Sequence, residues 1–416
     1  MLFSRKIQED IDKWLFEKEI IILNGPRQVG KTSLLKLIRK RLLEQQVSED
    51  NIFYLNLEEI NILEDLNNDP ENLLKYITKD SQKNYFFIDE IQYLDNPSNF
   101  LKHLYDKYSD QLKIITTGSS SLELKAQLQD SLVGRKVSFL VNPLCFEEFL
   151  QFKQVEYIKY LDKKEIPNEV KNKFDNDLNE YLIYGGMPAV VLQSDFALKQ
   201  KMLYEYVNTY INKDIRYIGR IDNISQFNII IKLLASQIGN LLNISELSNT
   251  ADISRRNVEK YIELLEYTFI LNKVSSFQNN IRKEIIKMPK IYFSDLGLRN
   301  AILNNFLEIE DRQDNGMLFE NFVFLELSSD VKNKIFFYRT ISKSEIDFIV
   351  DRAKTIKLVE VKYKSLKKQI DSRVLRGFEG KNNKKKEMFV LSLNQLNKID
   401  NVNYIDYRNI ANILYK

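Results

Sequence analysis

The sequence predicts a multi-domain α/β protein whose amino-terminal part is built on a parallel sheet. Three observations lead to this prediction. The chain has 416 residues, which exceeds the size at which one hydrophobic core stops growing. Short runs rich in isoleucine and phenylalanine alternate with amphipathic segments in the amino-terminal third, as buried parallel strands and covering helices require. The first of these runs leads directly into a glycine-rich loop.

The composition excludes several classes of protein. No apolar run approaches the roughly 18 residues that cross a bilayer, and charges near the start do not fit a secretory signal, so we expect a cytoplasmic protein with no membrane partner. A single cysteine, Cys145, and a single histidine, His103, cannot build a disulfide or a Cys/His metal cluster. Any metal is therefore expected on oxygen ligands. The net charge of +3 does not by itself imply a nucleic-acid partner.

The glycine-rich loop lies between a β-branched run at 19–24 and an amphipathic segment at 34–40. Its G-x-x-x-x-G-K-T spacing lets backbone N–H groups curl around a β-phosphate, and the following helix N-terminus adds positive potential. We expect Lys31 to neutralise the β- and γ-phosphates of ATP and Thr32 to ligate Mg²⁺. The predicted nucleotide-binding residues of this loop are Gly25, Pro26, Arg27, Gln28, Val29, Gly30, Lys31, Thr32 and Ser33.

An acidic pair, Asp89 and Glu90, directly follows an apolar run at 85–88, and a further strand is predicted at 51–57. The carboxyl ends of parallel strands are where open α/β sheets bind ligands. We therefore expect Asp89 to hold magnesium, directly or through water, and Glu90 to polarise the attacking water. The alternative is a helix N-cap with a neighbouring acid.

Two more strands are predicted, at 112–117 and 137–141. The first ends in hydroxyl side chains, so Thr117 or Ser119 is expected to sense the γ-phosphate; the alternative is a helix cap. Arg135 precedes the second strand. Its guanidinium is a candidate γ-phosphate finger, within the chain or across a subunit boundary, and the alternative is an ordinary surface arginine.

The sequence of the middle of the chain predicts a helical lid followed by a winged helix. Residues 151–235 have helical spacing and few breakers, which suggests a lid of the kind that moves during ATP turnover. Further on, Val258, Ile262 and Leu265 fall on one helical face. The opposite face carries Arg255, Arg256 and Lys260, the arrangement with which a helix-turn-helix or winged helix meets DNA. A winged helix used only for packing or protein contact is the alternative.

A second chemical pattern lies near the carboxyl end. Alternation in a strand puts Glu360 and Lys362 on one side, and pairing with the run at 345–350 would place Asp347 beside Glu360. Two carboxylates and a backbone carbonyl suit Mg²⁺ or Mn²⁺, and Lys362 would position or deprotonate a water for phosphodiester attack. This set resembles the D…E-x-K motif of the restriction-endonuclease-like superfamily. Glu320, on a predicted amphipathic helix that is expected to bury Leu318, Phe322 and Leu325, matches an additional metal-binding acid. The alternatives are a charged solvent-facing strand and a nuclease fold without cleavage.

The amino-terminal motifs resemble a prokaryotic family of AAA-superfamily P-loop ATPases of the additional-strand class, usually described only as ATP-binding proteins. The family reads G-P-R-x-V-G-K-T, D-E, T-G-S-S, L-x-G-R and P-L-x-F-x-E, matched here at 25–32, 89–90, 117–120, 132–135 and 143–148. The resemblance implies a P-loop NTPase fold and use of ATP with magnesium. The expected organisation is an ATPase core at 1–150, a lid at 151–235, a winged helix at 236–285 and a restriction-endonuclease-like α/β domain at 286–416.

Two functions are therefore expected. In the first, ATP hydrolysis is coupled to a metal-dependent nuclease-like domain that acts on or binds DNA. In the second, the protein is an ATP-driven DNA-binding or regulatory switch whose carboxyl-terminal domain only recognises a partner. Both functions are compatible with assembly into a homo-oligomer.

Overall fold

The computed structural model describes residues 2–77, 83–119, 132–215, 219, 221, 223–278, 287–330, 332–340, 344–368, 370–378, 384–395, 398–411 and 413. Contacts divide the chain into two compact units. The first comprises Met1–Asn142 with the short segments Asp214–Arg220 and Tyr267–Phe269, and the second comprises Pro143–Lys213, Ile221–Glu266 and Ile270–Lys416. Across the described residues, no helix combines the length and the apolar character needed to span a bilayer.

The first unit contains the five predicted strands. They are β1 Ile20–Gly25, β2 Ile52–Asn56, β3 Asn84–Asp89, β4 Leu112–Ser119 and β5 Lys136–Leu140. They form one sheet in the order β2-β3-β4-β1-β5, and every neighbouring pair is parallel. Because β4 lies between β1 and β3, the sheet contains the inserted strand that defines the additional-strand class, and the predicted P-loop ATPase fold is confirmed.

Helices cover this sheet on both faces, which explains why its strands are apolar throughout. On one face, Phe86 of β3 packs with Phe100 and Leu104, and none of the three is more than 3% exposed. On the other face, Phe87 is also buried, at 1% exposure. Among the described residues of this unit, the α-helices are α1 Gln8–Asp12, α2 Lys31–Glu44, α3 Ile60–Asn68 and α4 Pro97–Tyr108.

The second unit begins with helices that meet in an aromatic core. The rings of Phe146 and Tyr181 lie edge to face with centroids 5.9 Å apart, and Phe146 makes the same kind of contact with Phe322 at 5.8 Å. Such pairs stabilise a core beyond the area they bury. The first four α-helices of this unit are α5 Phe146–Phe152, α6 Asn168–Tyr184, α7 Pro188–Leu192 and α8 Phe196–Tyr206.

The next segment places three helices before a two-stranded antiparallel hairpin. These elements are α9 Ile224–Ser236, α10 Ile244–Ala251, α11 Arg255–Tyr267, β6 Leu271–Val274 and β7 Lys290–Phe293. Leu241 adds an antiparallel bridge to Lys290 at the edge of β7. Ser254 Oγ accepts a hydrogen bond from the amide of Asn257, 3.3 Å away, at the start of α11.

The carboxyl-terminal part contains a mixed sheet of five strands in the order β12-β11-β10-β9-β8. β9 is antiparallel to both β8 and β10, whereas β10, β11 and β12 run parallel. The elements are α12 Leu296–Leu303, α13 Asn315–Ser328, β8 Lys334–Arg339, β9 Glu345–Asp351, β10 Thr355–Val361, α14 Arg373–Arg376, β11 Lys385–Ser392 and β12 Val402–Asp406.

Helix α13 is not the amphipathic helix that the sequence predicts. Leu318 and Phe322 are buried as expected, but Leu325 is only half-buried, and Val323 and Leu327, off the predicted face, are also buried. The helix contacts β7, β9 and β10 as well as α6 and α12. A helix enclosed by neighbours buries apolar residues around its whole circumference. The polar side chains of such a helix therefore bond to other protein groups instead of to water.

Candidate functional site

The loop between β1 and α2 has the backbone of a phosphate-binding loop. Gly30, at its end, has φ 92°, in the left-handed region that favours glycine. Gly25, at its start, passes so close to the next chain segment that a Cβ there would lie 2.2 Å from the Val141 carbonyl oxygen. The two glycines are thus required at these positions, and the loop ends at the N-terminus of α2.

Lys31 is folded back onto its own loop. Its Nζ donates to the carbonyl oxygens of Gly25 at 3.0 Å and Pro26 at 2.7 Å, and the residue is 5% exposed. Burial lowers the pKa of Lys31 to about 8, against the opposing effect of the Glu90 and Asp89 carboxylates. A phosphate entering the loop would offer this ammonium group charged oxygens in exchange for neutral carbonyls.

Arg5 supports the loop from outside, a contact that the sequence reasoning missed. Its Nη1 donates to the Val29 carbonyl at 2.9 Å, and its Nη2 donates to the Asn142 carbonyl at 2.8 Å. Arg5 is 8% exposed. The guanidinium therefore ties the loop to the segment that follows β5. No local signal identifies it, because both partners lie far away in sequence.

The carboxylate of Asp89, at the end of β3, accepts hydrogen bonds from hydroxyl groups on three neighbouring elements. Thr32 Oγ1 donates to its Oδ2 at 2.8 Å, Tyr54 Oη donates to the same oxygen at 2.6 Å, and Thr117 Oγ1 donates to its Oδ1. Asp89 is 4% exposed. The structure thus brings Thr32, Asp89 and Thr117 together, and it adds Tyr54, whose pKa is raised by burial and by its bond to Asp89.

Glu90 and Thr117 lie next to Asp89 and are joined by hydrogen bonds. Glu90 has a left-handed φ of 59°, and its carboxylate accepts a hydrogen bond from Gln92 and does not cap the short helical turn that follows. Thr117, expected to sense the γ-phosphate, accepts from the Glu90 amide at 2.9 Å and donates to Asp89. Its hydroxyl therefore joins the two acids. The side chain of Ser119, and Ser120 as a whole, lie outside the described residues.

Arg135 is not brought to this site within its own chain. It precedes β5, and its carbonyl accepts from the Ile20 amide, at the edge where the strands begin. Gly25 lies at the other end of the adjacent β1, roughly 17 Å further along at the rise of a strand. The guanidinium instead makes a double hydrogen bond to Asp106, at 2.6 and 3.2 Å.

In the second unit, the antiparallel register of β9 and β10 pairs Phe348 with Val359, so that Asp347 and Glu360 face each other at the next position. Val359 and Val361 are buried, while Glu360 and Lys362 are half-buried on the other side, as alternation predicts. The Asp347 Oδ2 accepts from the Val361 amide at 2.7 Å, and Lys362 Nζ donates to Glu360 Oε1 at 2.5 Å.

Glu320 lies in the same cluster but has other partners. Its Oε1 accepts from Lys290 Nζ at 2.9 Å and from Tyr292 Oη at 2.6 Å. Lys290 also lies 2.5 Å from Glu345 Oε1. Sequence reasoning assigned no role to Lys290, Tyr292 or Glu345. The signal for Lys290 and Tyr292 was their alternation with Ile291 in β7, the same kind of pattern that identified Glu360 and Lys362.

The electrostatics of the cluster follow from burial of many charges together. Burial, with the Glu320 and Glu360 carboxylates nearby, raises the pKa of Asp347 well above its ordinary value. Burial opposes the charge of Lys290, but Glu320, Asp347 and Glu345 outweigh it and raise the pKa of that ammonium. Within the described part of the chain, no group of three or more acidic, histidine or cysteine side chains is arranged to hold a metal ion.

The predicted DNA-facing residues Arg255, Arg256 and Lys260 are exposed on α11. On the opposite side of that helix, Val258, Ile262 and Leu265 are at most 1% exposed, so the predicted buried face is confirmed. The exposed residues of α11 include these three cations and also the acids Glu259 and Glu263.

Three family models match successive parts of the chain: an AAA domain over residues 17–150, a domain of unknown function (DUF8612) over 175–308 and a second domain of unknown function (DUF4143) over 315–410. The Walker-type ATPase of Pyrococcus abyssi is similar in structure, with a TM-score of 0.47, 15% identity and coverage of 73% of this chain and 96% of that chain. That likeness is too distant to extend the assignment.

Two sequence relatives span most of the chain. An uncharacterized protein of Methanocaldococcus jannaschii is 28% identical over 355 residues, which are 83% of this chain and 75% of the relative. An uncharacterized protein of Haemophilus influenzae is 30% identical over 357 residues, which are 83% of this chain and 82% of the relative. With its AAA domain and its P-loop ATPase fold, the chain belongs to the same family as the Haemophilus influenzae protein.

Proposed function

We propose that this protein binds and hydrolyses ATP in the presence of Mg²⁺. The observation that carries the proposal is the direct contact between Thr32 and Asp89, 2.8 Å, beside a phosphate-binding loop. Lys31 would neutralise the β- and γ-phosphates, Thr32 and Asp89 would hold the magnesium ion, and Glu90 would orient the attacking water. The backbone of residues 25–33 would wrap the phosphates.

The direct test is release of inorganic phosphate from ATP by the purified full chain, with and without Mg²⁺. The proposal predicts release that requires magnesium and is lost in Lys31→Ala. An exposed lysine of the same unit, Lys107, provides the matched control, because it forms an ion pair with Glu71 at the surface of α4. Equal release by Lys31→Ala and Lys107→Ala would contradict the assignment.

A second candidate activity belongs to the carboxyl-terminal sheet: metal-dependent cleavage of DNA. The opposed pair Asp347 and Glu360, with Lys362 next to it, supports it. Two carboxylates suit Mg²⁺ or Mn²⁺, which complete their shells with carbonyls, waters and substrate oxygens. The bound metal would supply Lewis-acid activation, and Lys362 would position the attacking water. The alternative is a domain that only recognises a partner, with ATP driving a regulatory switch.

Cleavage of supercoiled DNA separates these alternatives. Nicking that requires Mn²⁺ or Mg²⁺ and is lost in Asp347→Asn supports the nuclease. Glu387→Gln is a matched control on β11, because Glu387 pairs with Lys385 and Lys357, outside the cluster. Absence of cleavage by the wild type on duplex and single-stranded DNA, with and without ATP, would favour the regulatory switch.

We propose that residues 236–285 act as a winged helix that binds DNA through Arg255, Arg256 and Lys260. Their exposure on α11, the capping hydrogen bond at Ser254 and the following hairpin support this. Replacing the three cations with glutamine should weaken DNA binding and reduce its salt dependence, by about 0.9 in the log–log slope for each phosphate that the variant no longer neutralises. An unchanged slope would favour a packing role.

The remaining assignments complete the proposal. The core at 1–150 would hold ATP, residues 151–235 would form a helical lid, and residues 286–416 would form the restriction-endonuclease-like domain. Arg135 would serve as a γ-phosphate finger only across a subunit boundary in a homo-oligomer. We place the protein in the cytoplasm, where ATP is supplied and a lone cysteine stays reduced.

A further inference from the structure

Lys290 is a buried cation inside the acidic cluster of the carboxyl-terminal sheet. Its side chain is 3% exposed, and its Nζ lies 2.9 Å from Glu320 and 2.5 Å from Glu345. A lysine this deeply buried loses its hydration, which is costly unless carboxylates compensate the charge. Lys290 is therefore held between two carboxylates, and Glu345 also lies 3.7 Å from Arg339.

Glu320 is also held from other directions. Tyr292, two residues after Lys290 on β7, donates its hydroxyl to the same Oε1 at 2.6 Å. On another side, Gly239 approaches so closely that a Cβ there would lie 3.2 Å from that oxygen. An oxygen with an ammonium group, a hydroxyl and a backbone around it has little room for a metal ion. We call Lys290, Tyr292, Glu320 and Glu345 the locked half of the cluster.

The other half is arranged differently. Asp347 and Glu360 face each other across β9 and β10, and Lys362, which bonds to Glu360, is about one-third exposed. Because Lys362 is partly exposed, its ammonium group can move toward solvent, whereas the burial of Lys290 prevents such movement. We call Asp347, Glu360 and Lys362 the open half.

We propose that Lys290 is a positioning residue that acts as a fixed internal cation, keeps divalent metal away from Glu320 and Glu345, and so confines metal binding to Asp347 and Glu360. The proposal rests on the metal-dependent function proposed above, and it replaces the sequence-based expectation that Glu320 is a metal ligand. The ammonium group of Lys290 lies between the two carboxylates, so a divalent ion at Glu320 would have to displace it or bind next to it. An ion bound next to it would be repelled, because both groups are positively charged.

Calorimetric titration of the full chain with Mn²⁺ alone, without nucleotide, tests the proposal. In Glu320→Gln the affinity for Mn²⁺ should stay within about threefold of wild type, whereas Asp347→Asn and Glu360→Gln should each weaken it by at least about tenfold, as expected for ligands. In Lys290→Met the unmasked carboxylates should admit Mn²⁺ at Glu320 and Glu345, seen as a second bound ion or at least about tenfold tighter binding.

The outcomes are separable. The proposal is overturned if Glu320→Gln loses as much affinity for Mn²⁺ as Asp347→Asn does. It is also overturned if Lys290→Met is folded, as judged by circular dichroism, and binds Mn²⁺ like the wild type. If Lys290→Met does not fold, the comparison of Glu320→Gln with Asp347→Asn still decides. If Mn²⁺ binds only to Lys290→Met, the metal-dependent function fails while the role of Lys290 is supported. If no variant and no wild type binds Mn²⁺, both fail.

Discussion

The hydroxyl of Thr32 donates a hydrogen bond of 2.8 Å to Oδ2 of Asp89, although the two residues are 57 positions apart in sequence. They meet because β1 and β3 end at the same edge of a parallel sheet, with only β4 between them. The fold itself thus brings together the two groups proposed to hold magnesium. Such preorganisation removes a reorganisation cost from the reaction.

Asp89→Asn tests this arrangement. The amide keeps an oxygen for the Thr32 hydroxyl but removes the charge that would hold Mg²⁺, so ATP hydrolysis should fall about 10²-fold or more. Steady-state phosphate release at saturating ATP measures it. Asp110→Asn is the matched control, because Asp110 is an exposed acid that pairs with Lys18 and lies before the start of β4, at the opposite end of that strand from Thr117. A comparable loss in both variants would contradict a specific role for Asp89.

Glu90→Gln should separate ATP binding from hydrolysis. The proposed role of this carboxylate is to orient and activate water, so its loss should slow hydrolysis by about 10²- to 10⁴-fold while ATP affinity changes little. Single-turnover hydrolysis and calorimetric binding measure the two quantities on one preparation. Hydrolysis at the wild-type rate would mean that Glu90 does not act on the water.

Lys113→Met should destabilise the first unit. Lys113 is fully buried, and its Nζ donates to the carbonyl oxygens of Trp14 at 2.6 Å, Glu17 at 2.9 Å and Glu19 at 2.6 Å. Methionine fills the space of the lysine's aliphatic chain but leaves these carbonyl acceptors unpaired. We therefore expect the free energy of unfolding to fall by about 2–4 kcal/mol. Urea denaturation measures this.

The surface lysine Lys107 gives the comparison for Lys113. Its ion pair with Glu71 lies at the surface, where solvent screens the charges and such pairs contribute little to stability. Lys107→Met should therefore leave the urea midpoint nearly unchanged. If the two substitutions destabilise equally, the carbonyl contacts of Lys113 do not matter to stability.

Asp295 predicts a pH dependence of stability. Burial raises its pKa from 3.8 to about 6, although its carboxylate accepts hydrogen bonds from the Leu298 and Gly186 amides. Folding therefore favours the protonated form. The stability from this group is complete below the unfolded pKa of 3.8 and is lost as the pH rises through about 6, a change of about 3 kcal/mol.

Asp295→Asn isolates that contribution, since the amide is neutral at every pH. Relative to this variant, the wild type should lose stability between pH 4 and pH 6 and then stay level, as followed by urea unfolding at several pH values. A stability difference that does not vary with pH would mean that the backbone donors fully offset burial, and that Asp295 stays ionised.

The sequence predicts the phosphate loop and the sheet because both depend on local patterns. Gly25 and Gly30 mark a backbone path that other residues do not follow, and the apolar runs are read directly as buried strands. The sequence also predicts that Asp347 and Glu360 face each other in a hairpin, because the alternation of polar and apolar residues in each strand shows which face is polar.

Contacts that depend on register between distant segments were not predictable from one sequence. Tyr54 reaches Asp89 because β2 lies beside β3, and Arg5 reaches Val29 from outside the sheet. Lys290 joins the acidic cluster because β7 packs on α13, a helix whose enclosure also made its amphipathic prediction wrong. In each case the decisive partner lies far away in the chain, where periodicity carries no information.

Calorimetric binding of ATP in saturating Mg²⁺, comparing wild type with Lys31→Ala, tests the central claim most directly. The account predicts binding of one ATP per chain by the wild type, and a loss of at least about tenfold in affinity when the ammonium group that faces the β- and γ-phosphates is removed. Absence of ATP binding by folded wild-type protein, or equal affinity in Lys31→Ala, would contradict the claim.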